Sequence, residues 1–208
     1  SGGIAIIISF SIFFIIYDLL YDQVLYDYIF ISYSVFLVGF LDDLRINIKP
    51  LTRLIIMIFL VFIHTYILPI KIFNIDVPFL TLLMSSHIFS SIFVLLCFLF
   101  VINGANLIDG FNGLLTINLI IINIILTYIN INNGNLEFSI LLISQIIILF
   151  SFLLFNFPNA KIFLGDSGAY LMGSLLALNT ILTNNINPNV SSFFFCTLLF
   201  YLFFEVFF

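Results

Sequence analysis

Long apolar segments with almost no charged residue inside them follow one another along this chain. Polar residues divide them into eight runs, at about 2–17, 28–41, 51–70, 88–105, 114–131, 138–155, 168–184 and 190–208. A helix needs about 20 residues to cross the hydrocarbon core of a bilayer. Charged residues make up only 7% of the chain, against about 25% in soluble domains. The sequence therefore predicts an all-α, polytopic membrane protein with about eight transmembrane helices.

The runs form a single transmembrane domain, because no linker, internal repeat or low-complexity segment divides residues 1–208. The chain begins at Ser1, three residues before an apolar run, and stops at Phe208 inside another. We therefore expect the domain to be truncated at both ends.

Three polar clusters interrupt the apolar pattern, at 41–53, 103–113 and 156–168. They follow the second, fourth and sixth runs. Strict alternation of crossings places two membrane passages between each cluster and the next, so all three clusters emerge on the same side of the membrane.

Basic residues orient this arrangement. Arg45, Lys49, Arg53 and Lys161 lie on the cluster side, whereas Lys71 lies opposite. Short loops rich in Lys and Arg stay in the cytoplasm. The sequence therefore predicts that the clusters face the cytoplasm.

The first cluster pairs two acids with nearby bases. Asp42 and Asp43 are adjacent, and an acid at mid-bilayer costs about 2.5–3.5 kcal/mol, so the pair belongs at the interface. Such a pair can bind a cation or take a proton, while Lys49 and Arg53 hold phosphate. An ordinary solvated loop is the alternative interpretation.

The second cluster interrupts two apolar runs with glycines and polar side chains. Asn106, Asp109 and Asn112 are spaced by three, so a helical turn would place them on one face. A helix-breaking turn with Asn and Asp caps is the alternative.

The third cluster opens an apolar helix. Asp166 or Ser167 can cap its first turn, and a helix N-terminus also attracts phosphate. Capping alone is the alternative. Taken together, acids and oxygen ligands on one face suit Mg²⁺, which favours phosphoryl chemistry at the membrane surface.

Three segments resemble, in order and spacing, the signature motifs of the polyprenyl-phosphate N-acetylhexosamine-1-phosphate transferases. They are GFLDD at 39–43, NGANLIDGFNGL at 103–114 and KIFLGDSG at 161–168. That family includes the phospho-N-acetylmuramoyl-pentapeptide transferase of peptidoglycan synthesis and enzymes that start O-antigen and teichoic acid glycans. The resemblance covers essentially the whole chain. One departure is Asn112, which stands where many members have Asp.

The resemblance implies an activity and a set of site residues. A polyprenyl (undecaprenyl) phosphate would attack a UDP-sugar and release UMP, with Mg²⁺ required and Mn²⁺ as an alternative metal. By position, Asp166 and Asn106 match the metal ligands, and Asp42, Asp43 and Asp109 match catalytic acids. Phe163 would stack on uracil. The implied substrate-binding residues are Lys49, Arg53, Asn106, Gly110, Asn112, Asn156 and Phe163.

The expected surroundings are the cytoplasmic (inner) membrane and its lipid, with no nucleic-acid partner and with a homodimer left open. The competing hypotheses are a polytopic transporter, a different membrane phosphotransferase of the CDP-alcohol type, and an inactive fragment of the transferase. A transporter should carry polar groups near mid-span, whereas the acids here gather at one end of the runs.

Overall fold

All regular structure in the protein is α-helical within the described residues. The computed structural model describes residues 1–44, 46, 48–67, 70–73 and 75–207, so Arg45 lies outside them. The helices, in chain order from α1 to α10, are Gly2–Tyr21, Tyr26–Asp43, Pro50–Ile67, Pro78–Met84, His87–Ile108, Leu114–Asn132, Leu136–Asn156, Gly165–Ile186, Ser192–Leu198 and Phe200–Phe207.

Each of the first seven predicted runs corresponds to one long helix. By length and composition, α1, α3, α5, α6 and α7 can each cross a membrane. Helix α2 falls outside that group because it carries Asp27, Asp42 and Asp43, and α8 carries several Ser, Thr and Asn side chains. The prediction of an all-α, polytopic membrane protein is confirmed.

Helix α8 lies at the centre of the bundle. It packs against α1, α2, α5 and α6, and every residue from Ser167 to Ile181 is buried. A helix that faces protein all round has no need of a lipid-compatible surface. Helix α8 can therefore carry polar side chains, because it contacts protein and not lipid.

The last predicted run, 190–208, is two helices rather than one. Helix α9 ends at Leu198, and α10 begins at Phe200 and packs along α5. The close approach occurs at Gly104, where a Cβ would overlap the backbone of Leu202. The sequence also missed α4, a short helix in the segment between the third and fourth runs. Packing on α5, rather than local apolar pattern, therefore shapes the end of the described chain.

A hydrogen-bonded polar cluster joins four helices inside the bundle. Asn179 of α8 accepts from Tyr28 Oη of α2 at 2.7 Å, and its Nδ2 donates to Gln145 Oε1 of α7 at 2.7 Å and to Asn123 Oδ1 of α6 at 3.0 Å. All four residues are buried. Polar groups without partners are costly where water is absent, so these bonds fix which faces of the helices meet.

Replacing Asn179 by leucine should therefore destabilise the bundle. The substitution removes the partners of three buried side chains, at a cost of about 2 kcal/mol. That corresponds to a fall of roughly 4–8 °C in the apparent unfolding midpoint in detergent. Asn118→Leu is the matched control, because the buried Oδ1 of Asn118 has no hydrogen-bond partner in the described part of the chain. Equal losses in the two variants would contradict a stabilising role of the cluster.

Candidate active site

The three polar clusters meet at one end of the bundle. Asp42 and Asp43 end α2, Asn106 lies in the last turn of α5, and Asp166 lies in the first turn of α8. Arg53 comes from the first turns of α3. Direct hydrogen bonds join these five residues into one group, with Asp43 bonded to the backbone of Asp166.

Arg53 lies between two carboxylates from different helices. Its Nη1 is 2.5 Å from Asp42 Oδ2 and 2.7 Å from Asp166 Oδ2. The guanidinium also lies over the ring of Tyr170, 5.5 Å from the ring centroid. Tyr170 is one helical turn after Asp166 on α8, so the same face of α8 supplies both an acid and an aromatic surface to Arg53.

Asp43 caps the N-terminus of α8 from another helix. Its Oδ1 accepts the backbone N–H of Asp166 at 3.0 Å, and its Oδ2 accepts the hydroxyl of Ser167 at 2.5 Å. The expectation that Asp166 or Ser167 caps this helix was wrong, since the N-cap position is Leu164 and makes no side-chain cap bond. Asp43 supplies the missing acceptor instead.

Gly165 lets Asp43 approach α8 closely. Its φ is +76°, in the left-handed region, and a Cβ at this position would lie 2.7 Å from Asp43 Oδ2. A residue with a side chain would be both strained and obstructed there. The requirement for glycine at position 165 of the third motif is therefore steric.

Asn106 donates its Nδ2 to Asp166 Oδ1 at 2.9 Å. Both carboxylate oxygens of Asp166 thus accept a hydrogen bond, one from Asn106 and one from Arg53. The single helical face expected for Asn106, Asp109 and Asn112 is not formed, because α5 ends at Ile108. Asp109 is the C-cap, and Asn112 lies in the turn beyond it.

Asp109 lies half-buried near the other acids. Burial, followed by the negative charges of Asp166 and Asp43, raises the pKa of the Asp109 carboxyl to about 7. A carboxyl of this kind exchanges a proton near neutral pH, which an ordinary aspartate does not.

The remaining predicted residues lie outside this hydrogen-bonded group. Asn156 is buried, accepts the N–H of Gly113 at 2.6 Å and donates to the carbonyl of Ile162 at 2.9 Å, so it holds two loops together. Asn112 donates to the carbonyl of Pro158 at 3.2 Å. Three further predicted residues are exposed: Lys49, Gly110 and Phe163. Substrate contacts at these five predicted positions stay predictions.

A family model described as glycosyl transferase family 4 matches residues 25–184. That range holds all the interacting side chains of the site, from Asp42 to Tyr170. The chain belongs to glycosyl transferase family 4. The resemblance identified from the three motifs is thereby confirmed at the level of the family.

Individual relatives agree with this membership of family 4. The chain is 31% identical over 149 residues to the phospho-N-acetylmuramoyl-pentapeptide-transferase of Clostridium perfringens, covering 68% of this chain and 47% of that protein. The namesake from Streptococcus thermophilus is 31% identical over 154 residues, 70% of this chain and 45% of that protein.

An archaeal relative matches as well. The protein provisionally named UDP-N-acetylglucosamine–dolichyl-phosphate N-acetylglucosaminephosphotransferase in Sulfolobus acidocaldarius is 32% identical over 145 residues, 66% of this chain and 42% of that protein. The family 4 chain described here spans about half the length of the curated relatives it matches.

The oxygen atoms of this family 4 site suit a hard divalent cation. Asp42 and Asp166 place oxygens against the same cationic nitrogen, so their carboxylates converge on one point. In the described ranges, no three His, Cys, Asp or Glu side chains lie close enough to form a complete metal cage. Mg²⁺ usually needs only one or two carboxylates, because substrate phosphates complete its shell. The residues therefore fit a cation that substrate helps to hold.

The sequence analysis did not predict the roles of two residues of the family 4 site. Ser167 was expected to cap α8 but instead donates to Asp43. Tyr170 was not singled out, although its position four residues after Asp166 was a usable signal. Its role depends on Arg53, which lies more than 110 residues earlier in the chain.

Proposed function

We propose that the protein transfers a sugar-1-phosphate, of the N-acetylhexosamine class, from a UDP-sugar to a polyprenyl phosphate and so initiates a cell-envelope glycan. The observation that carries this proposal is the meeting of Asp42, Asn106 and Asp166, one from each motif, with Arg53 at the end of a membrane bundle. Membership of family 4 and the names of the relatives support it. Lipid chains reach such a site from the bilayer, and a nucleotide reaches it from water.

The reaction forms one P–O bond and breaks another. An oxygen of the lipid phosphate attacks the phosphorus that carries the sugar, and the bond from that phosphorus to the bridging oxygen breaks. UMP leaves with the electron pair. The product is a polyprenyl diphosphate linked to the sugar.

Side chains of the site provide charge and proton transfer for this step. Arg53 offers a guanidinium to the diphosphate, and exposed Lys49 adds charge nearby. Asp109 is the side chain that we assign to accept a proton of the lipid phosphate, because its carboxyl lies half-buried near the other acids of the site. Phe163, 66% exposed, presents a ring on which uracil can stack. Gly110, Asn112 and Asn156 shape the loops around the nucleotide.

Mg²⁺ is the proposed cofactor, with Mn²⁺ as a substitute. Asp166 would hold it, and Asn106 would offer its carboxamide oxygen. The cation supplies neutralisation of the charge that develops on the diphosphate. Its charge would also lower the pKa of Asp109 towards the ordinary range.

The proposed location is the cytoplasmic membrane, with the site facing the cytoplasm. Lys49, Arg53 and Lys161 at the site end support this orientation. We expect an impermeant thiol reagent to label Ile46→Cys and Ala160→Cys from the cytoplasmic side and Gln23→Cys from the other, in a protein without Cys97 and Cys196. Labelling of positions 46 and 160 from different faces would contradict the shared site.

The activity is tested by UMP release from the complete protein in detergent, with a polyprenyl phosphate and Mg²⁺. UDP-N-acetylglucosamine and UDP-N-acetylmuramoyl-pentapeptide are offered as alternative donors. We expect release with one of them and none without the lipid. Lack of release with a full panel of UDP-sugars would contradict the proposal. Export of a labelled solute from vesicles, without UMP release, would favour the transporter instead.

A further inference from the structure

Arg53 occupies the point on which two acids of the site converge. Its Nη1 bonds to Asp42 Oδ2 and Asp166 Oδ2, and Asn106 bonds to the other oxygen of Asp166. The Arg53 side chain is only 17% exposed and is further held over Tyr170. This is a well-defined position for a guanidinium and not a loose surface contact.

A divalent cation needs the oxygens that Arg53 already holds. A carboxylate oxygen can point a lone pair at an N–H or at a metal, and two positive charges at one point repel each other. Binding of a cation at Asp166 through Oδ2 therefore requires Nη1 to move away. Rotation of the Asn106 carboxamide would likewise present its oxygen in place of its NH₂.

We propose that Arg53 is an internal cation that competes with the divalent metal for Asp42 and Asp166, so that metal binds tightly only when a substrate diphosphate draws Arg53 away. This rests on the proposed function, since it assumes that a metal and a diphosphate share the site. The diphosphate offers Arg53 a second anionic partner of higher charge. Arg53 thereby couples nucleotide binding to metal binding, and the site does not trap metal without substrate.

The coupling is measured as Mn²⁺ affinity, by following free Mn²⁺ with electron paramagnetic resonance in the complete purified protein. The wild type should bind Mn²⁺ at least about tenfold more tightly with UDP than without it. Arg53→Met should bind Mn²⁺ without UDP at least about tenfold more tightly than the wild type, and UDP should add less. Lys161→Met is the matched control. It removes one exposed charge from the same face, and Lys161 forms no salt bridge within the described residues.

Arg53→Met leaves two acids unpaired and can fold poorly. A second measurement keeps the test informative in that case. Mn²⁺ should raise the unfolding midpoint of that variant more than that of the wild type, and Arg53→Lys should lie between them. Affinity in Arg53→Met no higher than in the wild type would overturn the competition, and Arg53 would then only support its acids. If the wild type releases UMP in that case, the proposed function stands. Loss of both Mn²⁺ binding and UMP release from the wild type would overturn both proposals.

Discussion

Replacing Asp166 by asparagine should lower Mg²⁺-dependent UMP release by at least about a thousandfold. The carboxylate of Asp166 is the meeting point of Arg53 and Asn106, and its backbone N–H bonds to Asp43. Asparagine keeps the size and the backbone bond but loses the negative charge that binds a cation. Removal of one placed electrostatic group commonly costs a hundredfold to a thousandfold in rate, and here the ion pair with Arg53 is lost as well.

The measurement compares turnover and the thermal shift that UDP and Mg²⁺ produce together. Asp166→Asn should unfold near the wild-type temperature but show no Mg²⁺-dependent shift with UDP. Asp22→Asn is the matched control: Asp22 is the exposed C-cap of α1, in the loop before α2, and its φ of 50° suits asparagine. Near-normal turnover in Asp166→Asn would show that Asp166 only supports the loop.

The assembly of the site was largely predictable from the order of the runs. Two crossings separate each polar cluster from the next, and the structure brings Asp42, Asn106 and Asp166 to the same end of the bundle, as that count predicts. The count works because membrane helices must be long and must alternate in direction. The positions of the apolar runs in the sequence are enough to count the crossings. The shared side of the three clusters could therefore be predicted without knowing how the helices pack.

The side-chain partners were not predictable in the same way. Asp43 and Asp166 lie 123 positions apart, and the cap that Asp43 provides depends on the angle between α2 and α8. The sequence pattern predicted Asp166 or Ser167 as the cap, because a local pattern identifies only caps that are close in sequence to the helix N-terminus. The central place of α8 was also hidden, since its Asn and Thr side chains are satisfied by other helices.

The second large effect is expected at Asp43, whose carboxylate acts through the position of Asp166. Asp43→Ala removes the acceptor of the Asp166 N–H and of the Ser167 hydroxyl. Loss of a helix cap costs about 1–2 kcal/mol of stability. Because the cap also fixes the first turn of α8, the carboxylate of Asp166 should lose its alignment with Arg53. We expect turnover to fall by roughly a hundredfold or more, as happens when a catalytic group is misplaced by about 1 Å.

Asp43→Asn separates this positioning role from a role of the charge itself. The asparagine oxygen can still accept the N–H of Asp166, and its NH₂ can donate to the Ser167 oxygen, so both bonds can be kept. Turnover in Asp43→Asn should therefore be at least about tenfold higher than in Asp43→Ala. Ser167→Ala keeps the bond between Asp43 and the Asp166 N–H but removes the hydroxyl that bonds to Asp43 and to Ser1 Oγ, and it should resemble the milder variant. If Asp43→Asn folds normally and is as inactive as Asp43→Ala, the charge of Asp43 takes part in the reaction, because asparagine keeps the size of the side chain and can keep both hydrogen bonds.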